Sequence, residues 1–261
     1  MIVRTGKAAG LEQMAETGAV PRFLVVRGEW IERNDPDAVL KEVDRGGLRP
    51  PFAVRSSASD EDSLSTSFAG MYETRLGVTR QALAEAVSAV AVSGAAVRVR
   101  AYRDALGLPN GAATIDVIVQ EMVDANVAGV SFSRDPVGQD CVRIEAVKGV
   151  GEELVSGNAI PERYQFDRET LAERSYKPGR QYIEMRSDGS RCRLVGRAIR
   201  GRRLTHDQAR TIAEHVLALE RLFPHAVRGV DVEWAIAAGE IKLLQCRPIT
   251  APVDAAARSL R

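Results

Sequence analysis

Apolar and polar positions fall into two textures: short helices with isolated strands before residue 112, and a succession of strands after it. Residues 6–16 (GKAAGLEQMAE) read as a loop turning into a short helix, since Ala, Leu, Glu and Met favour helix. Residues 20–26 predict a strand entered through Pro21, 36–43 a helix stopped by Gly46 and Gly47, and 52–56 a strand after Pro50 and Pro51. The small polar run 57–66 (SASDEDSLST) predicts a loop. Two helices are expected at about 80–93 and 95–106, broken near Ser93 and Gly94. Beyond them the β-branched stretches 113–122, 129–133 and 142–146 predict strands. A loop-helix-loop segment is punctuated by Gly149, Gly151 and Gly157, and short strands follow at 163–167, 181–185 and 192–198. Thr205 to Gln208 form a capping box, and Ile212, Ala213, Val216, Leu217 and Leu219 behind it keep close to helical spacing. Strands at 230–236 and 241–249, with Gly239 between them, close the fold, and the tail from Ala251 is expected to fray. The class is α+β in two lobes, without internal repeat or low-complexity linker.

Composition narrows the classes of function. The 261 residues carry 36 Lys+Arg against 35 Asp+Glu, a net charge of +1, so no global basic field exists to hold nucleic acid or an anionic membrane. Only 5 of the basic residues are lysines, which makes each lysine worth weighing. Cys141, Cys192 and Cys246 are odd in number and form no CxxC, which argues against a disulfide framework or a structural zinc site. No apolar signal core opens the chain and no apolar run is long enough to span a bilayer, so a cytoplasmic location is expected.

The C-terminal hairpin holds the most chemistry. In GVDVEWAI, alternation puts Asp231 and Glu233 on one face and Val230, Val232 and Trp234 on the other. In IKLLQCRPI, Leu243, Gln245 and Arg247 share a face. A loop of odd length centred on Gly239 would set Glu233 opposite Gln245 and Asp231 opposite Arg247, with paired Cβ atoms about 5 Å apart. A carboxylate, an amide oxygen and a guanidinium in one patch can hold Mg²⁺ and a phosphate together. On spacing alone the plainer reading, a solvated face with an Asp–Arg pair, is preferred. Arg55 at a strand end before small hydroxyls could face phosphates, as could Lys7 opening a helix, although each taken singly is a weak signal. No Walker A loop is present.

Six segments occur in one order: GKAAGL (6–11), VRSSASDEDSLSTSFAGMYETRLGV (54–78), VIVQEMV (117–123), AGVSFSRDP (128–136), GVGEELVSGNAIPERY (149–164) and VDVEWAI…IKLLQCRPIT (230–250). Together, from about residue 5 to 250, they resemble the nucleotide-binding domain of the pyruvate phosphate dikinase, phosphoenolpyruvate synthase and rifampin phosphotransferase family. The resemblance implies an ATP-grasp-like α+β fold, with an N-terminal lobe over 1–119, a C-terminal lobe over 120–252, a tail over 253–261, and ATP between the lobes. It implies that Lys7 and Arg55 contact the phosphates, and that residues 67–74, including Ser67, Gly70 and Thr74, form a loop over them. Gln120, Glu121 and Val123 would line the adenine pocket. Glu233 and Gln245 would hold Mg²⁺, with Asp231 in the nucleotide-binding set, and Arg247 would neutralise charge on the moving phosphoryl group. Each role suits phosphoryl transfer, which depends on positioning and charge neutralisation.

The sequence departs from that family in two ways. The stretch between Leu11 and Val54 is shorter, which shortens the N-terminal lobe and could open the cleft to a new acceptor. No Thr-Ser-His motif of a swivelling phosphohistidine domain occurs, and His206, His215 and His225 stand in other contexts. The expectation is a stand-alone ATP-dependent phosphotransferase with AMP and phosphate as products. Its acceptor would be a small molecule or a separate phosphohistidine carrier chain, with no nucleic-acid or membrane partner. The alternatives are an ATP-grasp-type ligase that activates a carboxylate, or a non-catalytic nucleotide-binding subunit.

Overall fold

The computed structural model describes residues 7–28, 36–57, 73–93 and 115–249. The chain divides into two compact units, one of Met1–Ala9 and Pro21–Met122, the other of Gly10–Val20 and Val123–Arg261. Helix α1 (Lys7–Ala15) therefore begins in one unit and continues in the other.

In the first unit, β1 (Phe23–Val26), β2 (Phe52–Ser57), β3 (Thr74–Val78) and β4 (Asp116–Glu121) form an antiparallel sheet in the order β1-β4-β2-β3. Helices α2 (Pro36–Arg45) and α3 (Leu83–Val92) cover one face. Phe52 and Val54 of β2 and Val117 and Val119 of β4 point into that core, against Val39, Val43, Leu83, Val87 and Val90. Full burial of each such side chain contributes about 1.5–3 kcal/mol relative to exposure. Side chains alternate across a strand, so Ala53, Arg55 and Ser57 lie on the face opposite α2 and α3. Their cross-strand partners Gln120, Ile118 and Asp116 share it.

The second unit is built on a six-stranded antiparallel sheet in the order β12-β11-β5-β6-β7-β8. Its strands are β5 (Val127–Phe132), β6 (Val142–Lys148), β7 (Glu162–Phe166), β8 (Glu173–Lys177), β11 (Val230–Ala237) and β12 (Glu240–Pro248). A short helix α4 (Glu152–Val155) and a two-stranded ribbon of β9 (Ile183–Met185) and β10 (Arg191–Arg193) complete it with α5 (His206–Leu222). Thr205 caps α5, its hydroxyl accepting from the Gln208 N–H while the Gln208 amide oxygen accepts from the Thr205 N–H. The apolar stripe Ile212, Ala213, Val216 and Leu219 is buried against the sheet face that carries Ile144, Tyr164, Val232 and Trp234. The buried Glu162 carboxylate ties the entry to α5 onto β7, accepting from the Arg203 and Leu204 N–H groups and the Tyr164 hydroxyl. Burial nevertheless pushes its carboxyl above the usual range.

Gly10 sets the distance between α1 and β12, because a Cβ there would lie 2.1 Å from the Cys246 carbonyl oxygen. The Leu243 N–H also donates to the Ala19 carbonyl, at 3.0 Å. Gly10→Ala is expected to lower stability by about 1–3 kcal/mol through overpacking. The check is a urea titration, with a shifted midpoint at unchanged slope; a wild-type midpoint would mean that helix and strand are not in such close contact.

The α+β class is as expected, but several elements differ from their predicted extent. The strand expected over 20–26 begins only at Phe23. Thr74, assigned to a loop, opens β3 instead, where it pairs with Arg55. The strand expected over 192–198 is the three-residue β10 followed by a 3₁₀ turn, Gly196–Ile199. β9 starts two residues later than expected, because the buried Gln181 side chain pairs instead with the main chain of Lys148 and Ile183. β8 is an edge strand that the sequence reading lacks. Ser67, Gly70, the helix expected over 95–106 and the tail lie outside the described residues. Among the described residues no helix is long and apolar enough to cross a membrane.

Candidate functional site

The hairpin β11–β12 carries the pairs that alternation predicts, Asp231 opposite Arg247 and Glu233 opposite Gln245, though by another route. Its turn is the two residues Ala238 and Gly239, both with positive φ (50° and 82°), and so of even length. A β-bulge then shifts the register between Glu233 and Trp234, so that Trp234 faces Leu243 and Leu244 is the extra residue. The two changes offset each other and restore the expected pairs. Both Nε and Nη2 of Arg247 donate to Asp231 Oδ2 at 3.0 Å, which fixes the guanidinium over the strand. Asp231, Glu233 and Arg247 are half-buried and Gln245 is buried. All four occupy the face opposite α5. The other face is held by Trp234, whose indole N–H donates to Ser131 Oγ at 2.7 Å, and by Val230, whose N–H donates to Ser133 Oγ at 2.8 Å.

Farther across the same face lies a buried charge network that the sequence reading missed. Glu233 pairs with Val130, Val130 with Glu145 and Glu145 with Arg163. In the next row Asp231 pairs with Phe132, Phe132 with Arg143 and Arg143 with Gln165. Arg143 donates to Asp135 at 3.2 Å and also to Glu145, and Arg163 donates to Glu145 at 3.1 and 3.0 Å. Gln165 donates to Asp135 at 2.9 Å and accepts from Ser175 Oγ. Two carboxylates against two guanidiniums leave the cluster neutral, so burial is tolerated and β5, β6 and β7 are tied together beside Glu233. The available signal is the alternation Arg143-x-Glu145 and Arg163-x-Gln165, two charged or polar positions on one face of each strand.

In the first unit, Arg55, Thr74 and Gln120 share the sheet face opposite α2 and α3. Lys7 is the first residue of α1, and the next N–H, that of Ala8, donates to Ser57 Oγ at 3.0 Å. The start of α1 is thereby docked two residues along β2 from Arg55. Lys7 and Arg55 are each half-buried. Gln120 is buried within β4, and Glu121 ends that strand, its carboxylate accepting from the Arg49 N–H at 2.8 Å. Val123 follows, half-buried, its carbonyl accepting from the Ala125 N–H. Of the histidines, His206 opens α5, exposed, with Nδ1 3.0 Å from Glu173 Oε2. His215 lies within α5 and His225 in the exposed turn after it.

Comparison with known proteins gives this architecture its class. The family model described as pyruvate phosphate dikinase, AMP/ATP-binding domain, matches residues 34–260. The chain belongs to that family, and the α+β, ATP-grasp-like fold comes with it. A probable phosphoenolpyruvate synthase of Archaeoglobus fulgidus is 36% identical over 219 residues, 82% of this chain and 29% of that protein. An uncharacterized phosphotransferase of Bacillus subtilis, YvkC, is 33% identical over 203 residues, 76% of this chain and 24% of that protein. A rifampicin phosphotransferase of Streptomyces sviceus is 30% identical over 218 residues, 82% of this chain and 25% of that protein. The chain thus spans between 24% and 29% of the length of these relatives.

Proposed function

We propose that the chain binds Mg·ATP and delivers a phosphoryl group to an acceptor outside its own histidines, a small molecule or a phosphocarrier chain, leaving AMP and phosphate. The observation that carries the reading is the same in both units: residues from separate sequence motifs share one sheet face, Arg55 and Gln120 on the face opposite α2 and α3, and Glu233, Gln245 and Arg247 on the face opposite α5. Lys7 and Arg55 would grip the phosphates, helped by the N–H groups at the start of α1. Gln120, Glu121 and Val123, on and just after β4, would receive the base.

The donor set at the hairpin fits Mg²⁺. One carboxylate and one amide oxygen, set opposite each other, are hard oxygen ligands, and this ion commonly takes few protein ligands beside phosphate and water. Among the described residues no three His, Cys, Asp or Glu side chains gather to hold a metal. When bound, the ion supplies charge neutralisation and a template for the phosphates. Glu233 and Gln245 would orient it. Arg247, steadied by Asp231, would bring its positive charge to the phosphoryl oxygens as their charge redistributes. The histidines lie on or after a docked helix, which suits none of them to travel between two sites.

Lys7→Ala and Arg55→Ala test the assignment. Each is expected to weaken ATP by about tenfold or more while changing adenosine affinity little, as loss of a charge-assisted phosphate contact requires. Calorimetric titration with both ligands reads this directly. Equal losses for ATP and adenosine would mean that the two residues act on the base or on stability.

A further inference from the structure

Charge is distributed unevenly along the second unit. Residues 172–204 contain ten Lys and Arg against three Asp and Glu, a net +7 in a chain whose total is +1, so all other residues together carry −6. This segment runs from β8 through the ribbon β9–β10 and the 3₁₀ turn to the cap of α5. Its pieces are contiguous in space. The Gln181 N–H donates to the Ile199 carbonyl at 3.0 Å, which sets Arg180 beside Arg200. The Leu194 N–H donates to the Tyr182 carbonyl at 2.8 Å, and Ile183 pairs with Arg193. Arg180, Arg193 and Arg200 are exposed, and none makes an ion pair among the described residues.

Charge on an edge strand also blunts unwanted strand pairing, which accounts for Arg174 and Lys177 on β8. It does not account for the three arginines beyond it. Nor is the surface purely basic: Tyr182, Ile183 and Val195 stand among them, 53%, 43% and 70% exposed. Aliphatic side chains gain nothing from a phosphate backbone, and single-stranded nucleic acid favours a row of aromatic platforms, of which Tyr182 supplies one. Arginine interleaved with apolar side chains is instead the composition of a protein-binding patch.

We propose that the β9–β10 ribbon and the 3₁₀ turn after it form a docking surface for an acidic protein face, whose carboxylates meet Arg180, Arg193 and Arg200 and whose apolar side chains meet Ile183 and Val195. The surface lies within one unit and does not depend on the nucleotide assignment. The test is fluorescence anisotropy with three labelled probes of matched charge: a peptide alternating Glu and Asp with Leu, the same peptide with Ser for Leu, and oligothymidylate. The Leu peptide is expected to bind most tightly, with affinity falling as salt rises. The triple variant Arg180→Glu, Arg193→Glu, Arg200→Glu is expected to weaken it by about tenfold or more. Ile183→Ser with Val195→Ser, at exposed positions, should erase the advantage of the Leu peptide over the Ser peptide, which keeps the proposal testable if the charge variant misfolds. Tightest binding of oligothymidylate, unchanged affinity in folded variants, or no salt-dependent binding of the Leu peptide would each overturn it.

Discussion

Glu233→Ala is expected to cut magnesium-dependent ATP turnover by about 10²–10³-fold, the usual loss when one preorganised charge-stabilising group is removed from a polar site. The side chain is half-buried on the face opposite α5, so its truncation leaves the packing of Trp234 and Val232 intact, and the thermal midpoint should stay near wild type. Water can stand in for the acceptor, so slow ATP hydrolysis suffices as the readout. Glu233→Gln separates charge from geometry: it keeps an oxygen donor opposite Gln245 and should recover part of the loss when Mg²⁺ is raised. Wild-type turnover of the alanine variant at limiting Mg²⁺ would remove Glu233 from the metal site.

Arg247→Ala should have a larger kinetic effect, about 10³-fold or more, as for other arginines that neutralise a moving phosphoryl group. It also leaves Asp231 without the guanidinium that donates to it twice, at a cost of about 1 kcal/mol in stability. The two effects can be told apart. Asp231→Asn breaks the ion pair but leaves the guanidinium, and should reproduce the stability loss with only a small part of the rate loss. Arg247→Lys keeps the charge without the planar fork, and should restore stability more than rate. If Asp231→Asn costs as much in kcat as Arg247→Ala, the arginine acts through its partner and not on the nucleotide.

How the hairpin is encoded explains why its pairs were legible in sequence. Alternation in VDVEW and LQCR fixes which side chains share a face, and a one-residue slip would bury Asp231 and Glu233 in place of Val232 and Trp234. The turn was not legible. A two-residue connection through Ala238 and Gly239 by itself gives the wrong pairing, and the bulge that corrects it leaves only Leu243-Leu244, two adjacent apolar residues, as its trace. β8 (ERSYK) has no apolar alternation because an edge strand buries little, so only its pairing with β7 defines it. The network of Asp135, Arg143, Glu145 and Arg163 is hidden for the opposite reason. Each charge by itself looks solvated, and only pairing across β6 and β7 shows that Asp135, Arg143 and Glu145 are matched out of water, with Arg163 at the half-exposed edge. The docking of α1 onto Ser57 likewise joins positions far apart in sequence, which the run GKAAGL does not reveal.

The most direct test of the central claim is calorimetric titration of the wild-type chain with ATP, in the presence of Mg²⁺ and again in excess chelator. One saturable site per chain is expected for Mg·ATP, weakened by about tenfold or more when the cation is withdrawn, with adenosine binding weakly and indifferent to metal. Failure to bind Mg·ATP, or binding of ATP with equal affinity whether or not Mg²⁺ is present, would contradict it.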